Sequence, residues 1–109
     1  MNAGDRFEAL LASGKDSALL RFSLGMHYLN EGAAAKAAEH LRAAVVQDPH
    51  YSAAWKLLGK ALEASAQPLA AMDAYRKGIE AAAHKGDKQA AKEMTVFLRR
   101  LERDATPGA

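Results

Sequence analysis

A shift of 34 residues lays this chain over itself. It aligns Leu24-Gly25 with Leu58-Gly59, Ala37 with Ala71 and Arg42 with Arg76, and it brings the large residues Tyr28 and Leu41 onto Leu62 and Tyr75. A period of this length marks a repeat in which each unit is one supersecondary element. Such a unit leaves an apolar face open, so neighbours must stack and the ends need caps. No other feature of the sequence restricts the fold as strongly.

Composition says what each unit is made of. Of 109 residues, 26 are Ala and 13 are Leu, whereas aromatic residues are only 6 % and Pro occurs three times. Ala loses least on entering a helix, and the β-branched and aromatic residues that strands favour are scarce, so the chain is expected to be all-α. Punctuation agrees with the period. Gly32 sits between two helices, Asp48-Pro49 closes a segment, Ser65-Ala66-Gln67-Pro68 fills the next turn, and Gly86 follows a long run as a C-terminal cap. Helices are expected at about 5–13, 17–31, 34–47, 52–64, 68–85 and 87–104, with 105–109 a flexible tail.

In this register the residues resemble the tetratricopeptide repeat (TPR) family, whose pattern is W-x2-L-G-x2-Y, then A-x3-F, then P. The first unit reads Arg21-x2-Leu24-Gly25-x2-Tyr28, Ala37-x3-Leu41 and Pro49. The second reads Trp55-x2-Leu58-Gly59-x2-Leu62 and Ala71-x3-Tyr75, with Ala83 in place of Pro. Further back, Ala3-x3-Phe7 falls on the A-x3-F pair, so the first helix reads as half a repeat. Arg21 for Trp, Gly78 for a small Ala and Ala83 for Pro are departures. The resemblance implies a right-handed α-α superhelix spanning residues 1–104. It contains two full repeats, about 18–51 and 52–85, an N-terminal half repeat, and an amphipathic capping helix at 87–104 that carries Ala90, Met94, Phe97, Leu98 and Leu101 on one face.

The resemblance also implies a noncatalytic protein-binding module. In this family the concave wall is built from the first helix of each pair. The matching positions are Leu19, Phe22, Ser23, Met26, Leu29 and Asn30 in the first repeat, and Ala53, Lys56, Leu57, Lys60, Glu63 and Ala64 in the second. Leu19, Phe22, Met26 and Leu29 make one apolar stripe. It reads either as core covered by Phe7, Leu10 and Leu11 of the half repeat, or as a groove for a partner's helix or extended segment. Lys56 and Lys60 stand one turn apart, as a solvated face or as a contact for an acidic segment. The carboxylate-clamp members of the family need Lys and Asn where Phe22 and Met26 stand, so capture of a chaperone tail is not expected.

Two other classes compete. A self-associating module would pair the stripe, or an open repeat end, with a second copy. A weak nucleic-acid binder would use Lys88, Lys92, Arg99 and Arg103 on the last helix, but Asp87, Glu93, Glu102 and Asp104 offset these bases and the net charge is only +2. Enzymatic chemistry has no foothold in the sequence. His27, His40, His50 and His84 form no i, i+4 pair, Cys is absent, and neither a phosphate loop nor a G-x-S-x-G elbow occurs. No metal or cofactor is implied. With no signal segment and no apolar run of membrane-spanning length, the expected setting is the cytoplasm, with no membrane partner.

Overall fold

The computed structural model describes residues 2–105, so the segment expected to be a flexible tail lies, beyond Ala105, outside the described residues. All the secondary structure described is helical: α1 (Ala3–Ala12), α2 (Ala18–Asn30), α3 (Ala34–Gln47), α4 (Ser52–Ala64), α5 (Pro68–Lys85) and α6 (Lys88–Asp104). Bounds differ from the expected ones by a residue or two, and the physical reason is capping. The Asn2 side chain accepts the Asp5 amide at 2.8 Å while Asp5 reaches back to the Asn2 amide, so α1 begins before Asp5. Ser17 and Asp87 do the same for the Leu20 and Ala90 amides, and therefore stand just outside α2 and α6.

Each helix lies against its neighbour in sequence, and beyond these pairs α2 meets α4 and α4 meets α6. The helices therefore form two rows: α2, α4 and α6 in one, α1, α3 and α5 in the other. The stack is elongated, 50 × 29 × 18 Å.

Bare backbone on one helix receives a large side chain from the next. A Cβ on Gly25 would fall inside the Leu41 side chain, one on Gly59 inside the Tyr75 ring, and one on Gly78 against Met94 and Trp55. Around these contacts the core is thin and made of small residues: Ala37, Ala44, Ala54, Ala61 and Ala71 are fully buried with Leu24, Leu58 and Leu62. Gly78, a departure from the family pattern, is thus the place where Met94 anchors the capping helix.

The turns follow the same register. Gly32, after α2, has φ +80°, and 34 residues later Ala66, after α4, has φ +59°. Ala66 is the one non-glycine residue among those described that adopts this left-handed conformation.

Candidate functional site

The inner row places side chains of α2, α4 and α6 side by side, and the stripe expected on α2 divides along its length. Phe22 turns toward the start of α4, where its ring stacks on the capping residue Tyr51 with centroids 5.0 Å apart, and Leu29 joins the core. Leu19 and Met26 stay open, at 67 % and 41 % exposure, with Ser23 and Asn30 beside them on the side facing α1. The first half repeat does not cover the stripe, because α1 lies along one flank of α2 and leaves its inner edge free.

On α4 each expected polar residue has a partner on another helix. Lys56 Nζ lies 3.4 Å from Glu93 Oε1 on α6. The Lys60 ammonium sits over the Phe97 ring, 4.7 Å from its centroid, and the Arg100 guanidinium lies 5.7 Å from the same centroid. Glu63 accepts from the Tyr75 hydroxyl at 2.5 Å and from Arg100 Nη2 at 2.7 Å. Burial, followed by the Glu63 carboxylate, raises the Tyr75 phenol far above the usual range, so it stays protonated and donating. Lys60, Glu63, Ala64, Tyr75, Phe97 and Arg100 line one open hollow of about 390 Å³. Ala53 is exposed and Leu57 half-buried.

Phe97 and Arg100 were not among the expected wall residues. Phe97 belongs to the face read as buried, yet it is half-buried and two cations, Lys60 and Arg100, lie near its ring. The reason is that α6 does more than close the end: it lies beside α4 as a third inner helix, so one edge of its apolar face borders the groove. Its remaining charges are divided as well. Glu93 pairs with Lys56, Glu102 with Arg76, and Asp87 caps the helix, while Lys88, Lys92, Arg99 and Arg103 are all exposed. The acids expected to offset this basic stripe are mostly turned to other partners.

A polar cluster on the other side of α2 explains Arg21. Its guanidinium makes two 2.9 Å bonds to Asp16, and Nη1 approaches His40 Nδ1 at 3.1 Å. Arginine can only donate, so Nδ1 accepts and the His40 proton sits on Nε2, which faces Glu8 Oε1 of α1 at 3.6 Å. Glu8 also accepts from the Tyr28 hydroxyl at 2.6 Å. A tryptophan at position 21 could not make this link. His50 and His84, one repeat apart, stack with centroids 3.9 Å apart at the turn ends. Among the described residues no group of three or more His, Asp or Glu is placed to hold a metal ion, and no helix is long and apolar enough to cross a membrane.

No protein-family model matches the chain. It is 58 % identical over 99 residues to a TPR repeat-containing protein of Pseudomonas aeruginosa, spanning 91 % of this chain and 94 % of that one. It is 39 % identical over 82 residues, 75 % of its length, to a heat-shock protein cognate co-chaperone of Aspergillus fumigatus, of which the match spans only 24 %. Among solved structures, a protein of Bordetella parapertussis superposes with a TM-score of 0.80 at 46 % identity, over 95 % of this chain and 90 % of the other. The Sgt2 TPR domain of Aspergillus fumigatus does so with a TM-score of 0.73 at 31 % identity, over 98 % of this chain and 73 % of that domain.

Proposed function

Because the chain belongs to the tetratricopeptide repeat family, with its right-handed α-α superhelix, we propose that it is a noncatalytic recognition module that takes a segment of a partner protein along its inner row. Residues 1–104 act as one unit in this reading, with repeats at about 18–51 and 52–85. The observation that carries it is the hollow between α4 and α6, where Lys60 and Arg100 lie near the half-open ring of Phe97. An apolar group beside two cations suits a segment that brings an acidic side chain next to a large apolar one. Phe22 and Met26 supply apolar contact farther along the row, and Met adapts to irregular shapes. The helices are already ordered, so the cost of ordering falls on the partner segment.

The co-chaperone relative and the Sgt2 domain support protein partners as a class. Phe22 and Met26, where the carboxylate-clamp members carry Lys and Asn, point away from a free C-terminal carboxylate as the anchor. Affinity capture with wild type, Lys60→Glu, Phe97→Ala and Phe22→Ala tests the reading. A partner held by wild type should be lost on the first two substitutions and weakened on the third. NMR titration with that partner's segment should shift the inner row, and shifts confined to the outer faces of α3 and α5 would overturn the reading.

A further inference from the structure

The 34-residue register allows one end of the stack to be compared with its own interior. Ala37, Leu41 and Ala44 of α3 are fully buried, Leu41 against the bare backbone of Gly25 on α2. Ala71 and Tyr75 of α5 are fully buried, Tyr75 against the bare backbone of Gly59 on α4, and Gly78, the third of the set, is buried against Met94 of α6 and Trp55 of α4. Their counterparts on α1 are Ala3, Phe7 and Leu10. Ala3 is exposed, Phe7 half-buried and Leu10 46 % exposed.

In both full repeats the helix that covers these positions presents a glycine to the large residue, Gly25 to Leu41 and Gly59 to Tyr75. None of the described glycines meets Phe7 in this way. Instead two hollows of about 280 Å³ each meet at Phe7 and Ser23, running between α1 and α2 past Leu10 and Leu19 on one side and Ala3 and Met26 on the other. Among the described residues six large apolar side chains are exposed, and three of them, Leu10, Leu19 and Met26, line this crevice. Among the described residues no helix lies beyond α2 in the inner row α2, α4, α6.

We propose that this crevice is the seat of one further helix supplied by a partner protein, docked as the first helix of the incomplete repeat. The reading rests on the recognition role above but places the contact at the end of the inner row rather than in the hollow between α4 and α6. The two filled seats state the chemistry of the occupant. It is an amphipathic helix of about three to four turns, as α2 and α4 are, with Gly opposite Phe7 and a large apolar residue one turn to either side, as Phe22 and Tyr28 flank Gly25 and Trp55 and Leu62 flank Gly59. Among the described residues that line the crevice only Lys15 and His27 are titratable, so apolar contact dominates and an acid suits the Lys15 end.

A peptide with the sequence of residues 51–65, which carries Gly59, is a suitable probe for the full chain in an NMR titration. The expected result is a saturable shift confined to α1 and α2 around Phe7, Leu19, Ser23 and Met26. Leu19→Glu, at an exposed position that the fold does not need, should weaken binding at least tenfold, and Lys60→Glu should leave it within twofold. A Gly59→Leu peptide should bind at least tenfold more weakly. No saturable shift at millimolar peptide, or equal binding of the Gly59→Leu peptide, overturns the seat. Shifts at Lys60 and Phe97 that Lys60→Glu removes and Leu19→Glu does not would overturn it as well, while leaving the proposed function standing. A dimer of the chain alone that Leu19→Glu dissolves would assign the seat to a second copy and overturn a partner helix.

Discussion

The ring of Tyr75 rests directly on the backbone of Gly59, and its hydroxyl donates to Glu63 one turn further along α4. The second repeat is thus fixed twice by one side chain, through a contact that tolerates no Cβ on α4 and through a bond made at the edge of the groove. Gly59→Ala is expected to destabilise the fold by about 1–3 kcal/mol, because the buried ring must move against a close-packed interior. Tyr75→Phe keeps the ring and removes the donor to Glu63, so its cost should be smaller, about 1 kcal/mol. Urea unfolding of the two variants beside wild type checks the order. A larger loss for Tyr75→Phe would contradict it.

Ala66 holds a left-handed turn with a side chain attached. In the first repeat Gly32 makes the equivalent turn without strain. An L-residue there costs roughly 1–2 kcal/mol, part of which Gly returns as greater freedom in the unfolded chain. Ala66→Gly is therefore expected to stabilise the protein by about 0.5–1 kcal/mol, read as a higher thermal midpoint. Gly32→Ala should lower it.

The register that aligns Gly32 with Ala66 was readable in the sequence, and so were the six helices, because Leu24-Gly25, Leu58-Gly59 and the A-x3-F pairs recur at fixed spacing. What the sequence withheld was how far α6 reaches. On a helical wheel Phe97 shares a face with Met94 and Leu101, and nothing in spacing alone separates a residue at the centre of that face from one at its rim. The structure buries Met94 fully and leaves Phe97 half-open beside Lys60. The link from Arg21 to His40 was hidden for a related reason, since the two lie 19 residues apart on different helices and outside the repeat pattern. Phe7 is the converse case: its register position was legible, but only the structure shows that no described glycine backbone lies over it as Gly25 lies over Leu41 and Gly59 over Tyr75.

His40 makes the first repeat sensitive to acid. Burial, the main cause, holds its imidazole below the ordinary value of 6.5, with Arg21 adding to the effect and Glu8 opposing it. The unfolded chain therefore takes up a proton that the folded chain resists. Stability contributed by this group is present above about pH 6.5 and is lost progressively as the pH falls below it. Thermal midpoints of wild type should drop more steeply than those of His40→Gln between about pH 7 and 5. Parallel curves would show that His40 is not the group responsible.

Asp16 sets a second, lower limb. Bonds from Arg21 and then Gln47 hold its carboxyl down at about 2. Its contribution is present above the usual carboxylate value of 3.8 and is lost as the pH falls through about 2. Asp16→Asn should therefore reduce stability at neutral pH and flatten the acid limb below pH 4, leaving the slope near pH 6 to His40. Unfolding curves collected on wild type and both single variants separate the two limbs, and a changed slope near pH 6 in Asp16→Asn would contradict the assignment.

The two sides of α6 should be separable by substitution. Met94 is fully buried over Gly78, so Met94→Ala leaves a cavity between the capping helix and α5 and is expected to cost about 2–5 kcal/mol, a large share of the stability of a domain this small. Phe97 borders the hollow, and the aliphatic stem of Lys60 can settle over the vacated space, so Phe97→Ala should cost about half as much or less. In partner binding the order reverses. Phe97→Ala removes the apolar group beside Lys60 and Arg100 and should weaken binding by tenfold or more, whereas Met94→Ala, assayed well below its unfolding midpoint, should leave affinity within about threefold. If both substitutions change affinity in proportion to their loss of stability, α6 acts on binding only by holding the fold, and the hollow beside Lys60 is not the contact surface.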